Sequence, residues 1–122
     1  YNKKTRILKY ANAGHNCIPI KFNNSETKLL ENKGFPITVL LENIEYKEKE
    51  VQLDLKDKIL FYTDGVTEAR DYSGKEFGLD NILGIIKEYP NDILNTIEDK
   101  VINYSWGEQL DDFAVVLLEV IG

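Results

Sequence analysis

Ile59, Leu60, Phe61 and Tyr62 form an unbroken apolar run that stops at Thr63-Asp64-Gly65. A short run rich in branched and aromatic residues predicts a strand covered on both faces. The only comparable run, residues 113–120, follows Asp111 and Asp112, so a closing strand is expected over 112–121. Earlier segments are shorter. Residues 6–13 predict a strand with Ile7, Leu8, Tyr10 and Ala11 in the core, followed by a small-residue turn through His15. Cys17, Pro19 and Lys21 alternate with Ile18, Ile20 and Phe22, the pattern of a half-buried strand. Pro19 has no N–H to donate, which places that strand at an edge or makes it irregular there. Asn23-Asn24-Ser25 predicts a hairpin turn into a return strand over 27–30. A further short strand is expected at 39–41, and a charged, solvated edge strand over 46–53.

The period then changes. Leu79, Ile82, Leu83, Ile86 and Tyr89 follow helical spacing, predicting a helix over 79–89 that Pro90 ends. Asn91 or Asp92 can cap a second helix over 92–104, whose apolar positions are Ile93, Leu94, Ile97, Val101 and Ile102. Strands, then two helices, then a last strand predict an α+β fold with an antiparallel sheet. Trp106 is expected as a core or helix-end anchor.

Composition narrows the function. The net charge of −6 argues against a nucleic-acid footprint. No stretch approaches the roughly 20 apolar residues of a membrane span, and no basic, apolar leader opens the chain. Cys17 is alone, as a buried inert thiol in a reducing cytosol would be, so a cytoplasmic location is expected. The 122 residues include no methionine, even at position 1, so part of a longer chain is expected.

The acids carry the candidate chemistry. If the two apolar strands pair antiparallel, Asp64 at the end of one lies on the same sheet edge as Asp111 before the other. Two carboxylates about 5 Å apart repel by about 3 kcal/mol at an effective dielectric near 20. A proton, an intervening base or a cation resolves that repulsion. Carboxylates without His or Cys support suit Mg²⁺ or Mn²⁺ rather than Zn²⁺. Strand-end acids are also ordinary turn formers, and the residues alone leave both readings open. The same holds for His15, a turn residue or a ligand, and for Glu68 and Arg70, a solvated face or part of a site.

Three segments together resemble one family. They are residues 10–16 (YANAGHN), residues 34–78 and the terminal Asp111-Asp112-Phe113. The middle segment carries Gly34-Phe35-Pro36, the Thr-Asp-Gly-Val-Thr-Glu-Ala core at 63–69, and Gly74-Lys75-Glu76-Phe77-Gly78. The resemblance is to bacterial PPM-type serine/threonine phosphatases similar to stage II sporulation protein E and RsbU-like sigma-factor regulators. It implies an αββα sandwich of two antiparallel sheets with helices outside. It implies two Mn²⁺ or Mg²⁺ ions, with Asp64 and Asp111 as ligands and Asp112, Gly65 and His15 as supporting residues. It further implies hydrolysis of phosphoserine or phosphothreonine on a regulatory protein of the anti-anti-sigma type. His15 stands where the wider superfamily has an Asp, so a third metal is not implied, and the family's Pro-Gly-Asp is here Leu55-Lys56-Asp57. The family's upstream Asp motifs are absent, so residues 1–122 resemble the C-terminal portion of the catalytic domain. Such a portion is expected to associate with itself and to be inactive alone. The alternative is a non-catalytic protein-interaction module derived from a phosphatase.

Overall fold

The computed structural model describes residues 1–37, 43–106 and 111–122. The strands are β1 (Ile7–Tyr10), β2 (Ile20–Phe22), β3 (Thr27–Leu29), β4 (Lys49–Gln52), β5 (Lys58–Tyr62) and β6 (Val115–Glu119). The helices are α1 (Asp64–Thr67), α2 (Gly78–Glu88) and α3 (Ile93–Tyr104). The fold is α+β with antiparallel pairing, as the sequence predicts. The strand expected at 39–41 lies outside the described residues.

One sheet pairs β1 with β4, Ile7 opposite Gln52 and Tyr10 opposite Lys49. The other runs in the order β3-β2-β5-β6. β2 and β3 form the expected hairpin, Ile20 opposite Leu29. Asn23 closes its turn, its Oδ1 accepting the Ser25 and Glu26 amides at 2.8 and 3.0 Å. β2 is therefore interior and not at an edge, because Pro19 lies before the strand and only its carbonyl is used, accepting the Leu30 amide at 2.8 Å.

The chain divides into two compact units, residues 1–59 with 118–122, and residues 60–117. In the first, Leu30, Leu53, Ile59 and Val120 form a buried cluster, with Leu8, Tyr10, Val51 and Leu118 packed against it. Side chains of both sheets thus meet in one core, the layered arrangement that amphipathic sheets require. In the second unit, α2 buries Ile82, Ile85 and Ile86, and α3 buries Ile93, Ile97 and Val101. Each such side chain contributes roughly 1.5–3 kcal/mol. Leu94, Ile102 and Tyr89, which the spacing also assigned to the core, are exposed.

Lys21 departs most from its expected place. Alternation puts it on the polar face, yet it is buried at 8% exposure beside Asp57, at 1%. Its Nζ lies 2.9 Å from Asp57 Oδ2. Asn23 Nδ2 donates to Asp57 Oδ1 at 2.8 Å, and the Asp54 amide to Oδ2 at 2.9 Å. Burial pulls the Lys21 ammonium down, but the Asp57 hydrogen bond and charge, joined by Glu26 with its Oε1 3.5 Å from Nζ, outweigh it and the net shift is upward. Burial pushes the Asp57 carboxyl up, and the Asp54 amide, Asn23 and Lys21 together hold it below its ordinary value.

Candidate metal centre and substrate cavity

β5 and β6 are antiparallel. The Val120 amide donates to Asp57 O at 2.9 Å at one end, and the Thr63 amide to Ala114 O at 3.1 Å at the other. The Ala114 amide returns a bond to Thr63 Oγ1 at 2.9 Å. That bond explains an uncapped helix: Thr63 is the N-cap of α1 but makes no side-chain capping bond, its hydroxyl oxygen accepting from the neighbouring strand instead. Thr63 thereby fixes where β5 ends and α1 begins, and Asp64 opens α1 at that point.

Gly65 brings the two strand ends together. A Cβ on Gly65 would collide with the carbonyl oxygen of Asp112 and lie 3.0 Å from Phe113 Cβ. Only glycine permits this approach. The sequence expectation that the Asp64 end of one strand lies beside the Asp111-Asp112 start of the other therefore holds in the geometry. Gly65 is buried, while Asp64, Asp111 and Asp112 are exposed. Asp111 Oδ1 accepts the Asp112 amide at 2.8 Å. Asp112 and Phe113 precede β6 rather than belonging to it.

A shallow cavity of about 210 Å³ opens here, lined by Gly65, Glu68, Ala69, Arg70 and Asp111. Asp64 adjoins Gly65 in sequence but is not one of the lining residues. Glu68 and Arg70 are exposed as expected, and both face the cavity. Arg70 lies beyond α1, bridged to Glu76, with its Nη2 2.9 Å from Glu76 Oε1. His15 belongs to the other unit. Its amide donates to Asn12 Oδ1 at 2.6 Å and its carbonyl accepts from Asn12 Nδ2 at 2.8 Å, the backbone-held turn that is one of its two sequence readings.

The donor set consists of carboxylate oxygens, which fits Mg²⁺ or Mn²⁺. Among the described residues no group of three or more His, Cys, Asp or Glu is placed to hold a metal ion. Two carboxylates such as Asp64 and Asp111 would by themselves leave such an ion short of ligands. Arg70, left open by the sequence between a solvated face and part of a site, is one of the cavity's lining residues. Trp106, expected as a core or helix-end anchor, is 69% exposed and so lies outside the core. It does follow the C-cap of α3, and its amide donates to Arg70 O at 3.0 Å.

The fold is that of the PP2C phosphatase domains. The chain matches the PP2C phosphatase domain of Bacillus subtilis SpoIIE, solved with a fragment of its regulatory domain, at a TM-score of 0.75 and 19% identity, covering 95% of this chain and 34% of that one. A manganese-presoaked structure of that phosphatase domain gives 0.71 and 14%, covering 98% and 53%. The RsbU and RsbW domains of a Mycobacterium tuberculosis protein give 0.70 and 18%, covering 96% and 33%. Residues 1–121 match the family model of stage II sporulation protein E, and the chain belongs to that family. Protein IcfG of Synechocystis is 29% identical over 113 residues, covering 89% of this chain and 18% of that protein. The chain thus spans a third to about half of these solved chains and under a fifth of the curated relative. Among the described residues no helix is long and apolar enough to cross a membrane.

Proposed function

We propose that this chain forms the C-terminal portion of a PP2C-type catalytic domain that removes phosphate from phosphoserine or phosphothreonine on a regulatory protein, with Asp64 and Asp111 as two ligands of a divalent-cation site. The observation that carries this reading is the reciprocal Thr63–Ala114 hydrogen-bond pair, which sets the Asp64 and Asp111 ends of two antiparallel strands side by side. Family membership supplies the reaction class. Bound Mn²⁺ or Mg²⁺ would supply a water acidified toward neutral pH and positive charge for the phosphoryl oxygens.

Asp64 and Asp111 hold negative charge at the cavity end of the sheet. Gly65 keeps the space beside them open, since any side chain there would push the 112–113 backbone away. Asp112, adjoining Asp111 on the same exposed segment, adds to the local field without lining the cavity. Hydrolysis joins a water oxygen to phosphorus, breaks the bond from phosphorus to the serine or threonine oxygen, and leaves a proton on that oxygen. A cytoplasmic setting and an anti-anti-sigma-type substrate complete the reading. The substrate reading draws on membership of the stage II sporulation protein E family and on likeness to a chain that carries RsbU and RsbW domains, and the cytoplasmic one on the lone Cys17.

The test is dephosphorylation of a phosphoserine peptide by the intact protein with Mn²⁺. Asp64→Asn and Asp111→Asn should each lower turnover about 100-fold or more, equivalent to roughly 3 kcal/mol. Asp112→Asn should cost far less. Near-wild-type rates for Asp64→Asn at saturating metal would remove Asp64 from the site. A second reading, a non-catalytic interaction module, draws on the absence, among the described residues, of any group of three or more His, Cys, Asp or Glu placed to hold a metal ion. Lack of turnover by the wild-type protein with either metal would favour it.

A further inference from the structure

Arg70, Tyr72 and Trp106 form a feature that the cation site does not use. Tyr72 is 82% exposed and Trp106 69%. Their rings meet edge to face, with centroids 6.4 Å apart at 72°. Single exposed aromatics are ordinary, but two in contact on a rigid support are characteristic of a binding surface. The support is rigid here. Asp71 Oδ1 accepts from the Ser73 amide at 2.8 Å, the Ser73 hydroxyl at 2.6 Å and the Lys75 amide at 3.0 Å. The Asp71 amide and carbonyl close the same turn on Lys75 and Gly74. Trp106 is tied to it through the bond from its amide to Arg70 O. Arg70 is common to both features, its carbonyl holding the Trp106 amide and the residue itself lining the cavity that Asp111 also lines.

The cavity is smaller than the roughly 300–1,000 Å³ of sites that select whole small molecules. It can admit a phosphoryl group, so discrimination between phosphoproteins must come from its surroundings. Among the described residues Arg70 is the one cationic residue lining it, and a guanidinium keeps further N–H donors when one nitrogen is engaged by Glu76. Glu68 and Asp111 on the rim disfavour an acidic partner segment.

We propose that Arg70 and the Tyr72–Trp106 edge are the docking surface for the protein substrate, a phosphoserine segment flanked by an apolar, non-acidic side chain. Arg70 receives phosphoryl oxygens and the aromatic edge receives the flanking side chain. This rests on the phosphatase reading above. Loss of one interface hot-spot aromatic lowers affinity about 30-fold.

The experiment compares kcat/KM of the intact protein with Mn²⁺ on three phosphoserine peptides, flanked by Leu and Phe, by Gly and Ser, or by Asp and Glu. Wild type should prefer the apolar-flanked peptide over the Gly/Ser peptide by about tenfold or more, with the acidic one poorest. Trp106→Ala and Tyr72→Ser should each bring the apolar-to-Gly/Ser ratio toward one. A ratio cancels any general loss of activity, and Tyr72 is too exposed for its removal to unfold the domain. A wild-type ratio of one, or a ratio unmoved in both variants, would overturn the docking surface while leaving the phosphatase reading in place. Failure of wild type to hydrolyse any of the peptides would overturn both.

Discussion

Lys56 has φ of 71°, the left-handed region that costs a residue with a Cβ roughly 1–2 kcal/mol. Its amide still donates to Val120 O at 2.8 Å, and the Asp57 amide to Asp54 O at 3.1 Å, so the turn into β5 retains its bonds despite the strain. The resembling pattern has Gly at this place, and the backbone angle supplies the reason. Lys56→Gly should therefore raise stability by about 0.5–1 kcal/mol, once the greater flexibility of Gly in the unfolded chain is subtracted. The check is the urea midpoint at unchanged slope. A midpoint that stays or falls would show that the turn is not strained. At this scale the sequence was informative where residue type limits the backbone or the charge. The places of Asp64 and Asp111 at the strand ends were legible because apolar runs end at one and restart just after the other. Trp106 was not, because its apolar character says nothing of whether the surface it covers belongs to this chain or to a partner.

Between β2 and β5 the alternation rule fails for an electrostatic reason. Period-two patterning places Lys21 outside, but a buried partner can hold a charge inside. Asp57 is that partner, and nothing in a sequence separation of 36 residues announces the pairing. The hairpin and both long helices were legible, since turn chemistry and helical spacing are local. Burial of Lys21, the interior place of β2 and the exposure of Phe61 at 36% depend on which elements cover which, information carried by no single segment. The ion pair makes a testable case. Asp57→Asn leaves the buried ammonium with only the longer contact to the exposed Glu26, 3.5 Å away, and should cost about 3 kcal/mol. Lys21→Met with Asp57→Leu should cost far less than the single change, because no unpaired charge remains. The pH dependence follows from the shifts. The Asp57 carboxyl is lowered in the fold, so its stabilisation is present above the ordinary value of 3.8 and lost as pH falls through the lowered value. The Lys21 ammonium is raised, so its stabilisation is full below 10.5 and lost as pH rises through the raised value. Stability against urea should be flat with respect to this pair between those limits. The double variant should lose the pair's contribution to both limbs, and a double variant whose acid and alkaline limbs match wild type would show that the pair contributes nothing to either.

For the whole molecule, the antiparallel pairing of β5 with β6 brings two carboxylates to one pair of strand ends, yet hard divalent cations take about six oxygen ligands and Mg²⁺ surrenders its waters reluctantly. Among the described residues no group of three or more His, Cys, Asp or Glu is placed to hold such an ion. Asp64 and Asp111 alone supply too little charge to hold two ions close together. The isolated 122-residue chain should therefore bind Mn²⁺ with a dissociation constant of about 10⁻⁴ M or weaker. A phosphoryl group at the cavity would then face Arg70 on one side and uncompensated carboxylates on the other, and those carboxylates would repel the dianion rather than bind it. Hydrolysis of an aryl phosphate by the chain alone should be undetectable over the uncatalysed rate, even while the intact protein turns over phosphoserine peptides. Calorimetric titration with Mn²⁺ followed by the aryl phosphate assay tests both halves of the statement. Tight binding of two equivalents, or metal-dependent hydrolysis that survives purification and disappears in Asp64→Asn, would show that these residues build a complete site. Weak binding with no turnover, together with full activity in the intact protein, is the outcome expected of a shared one.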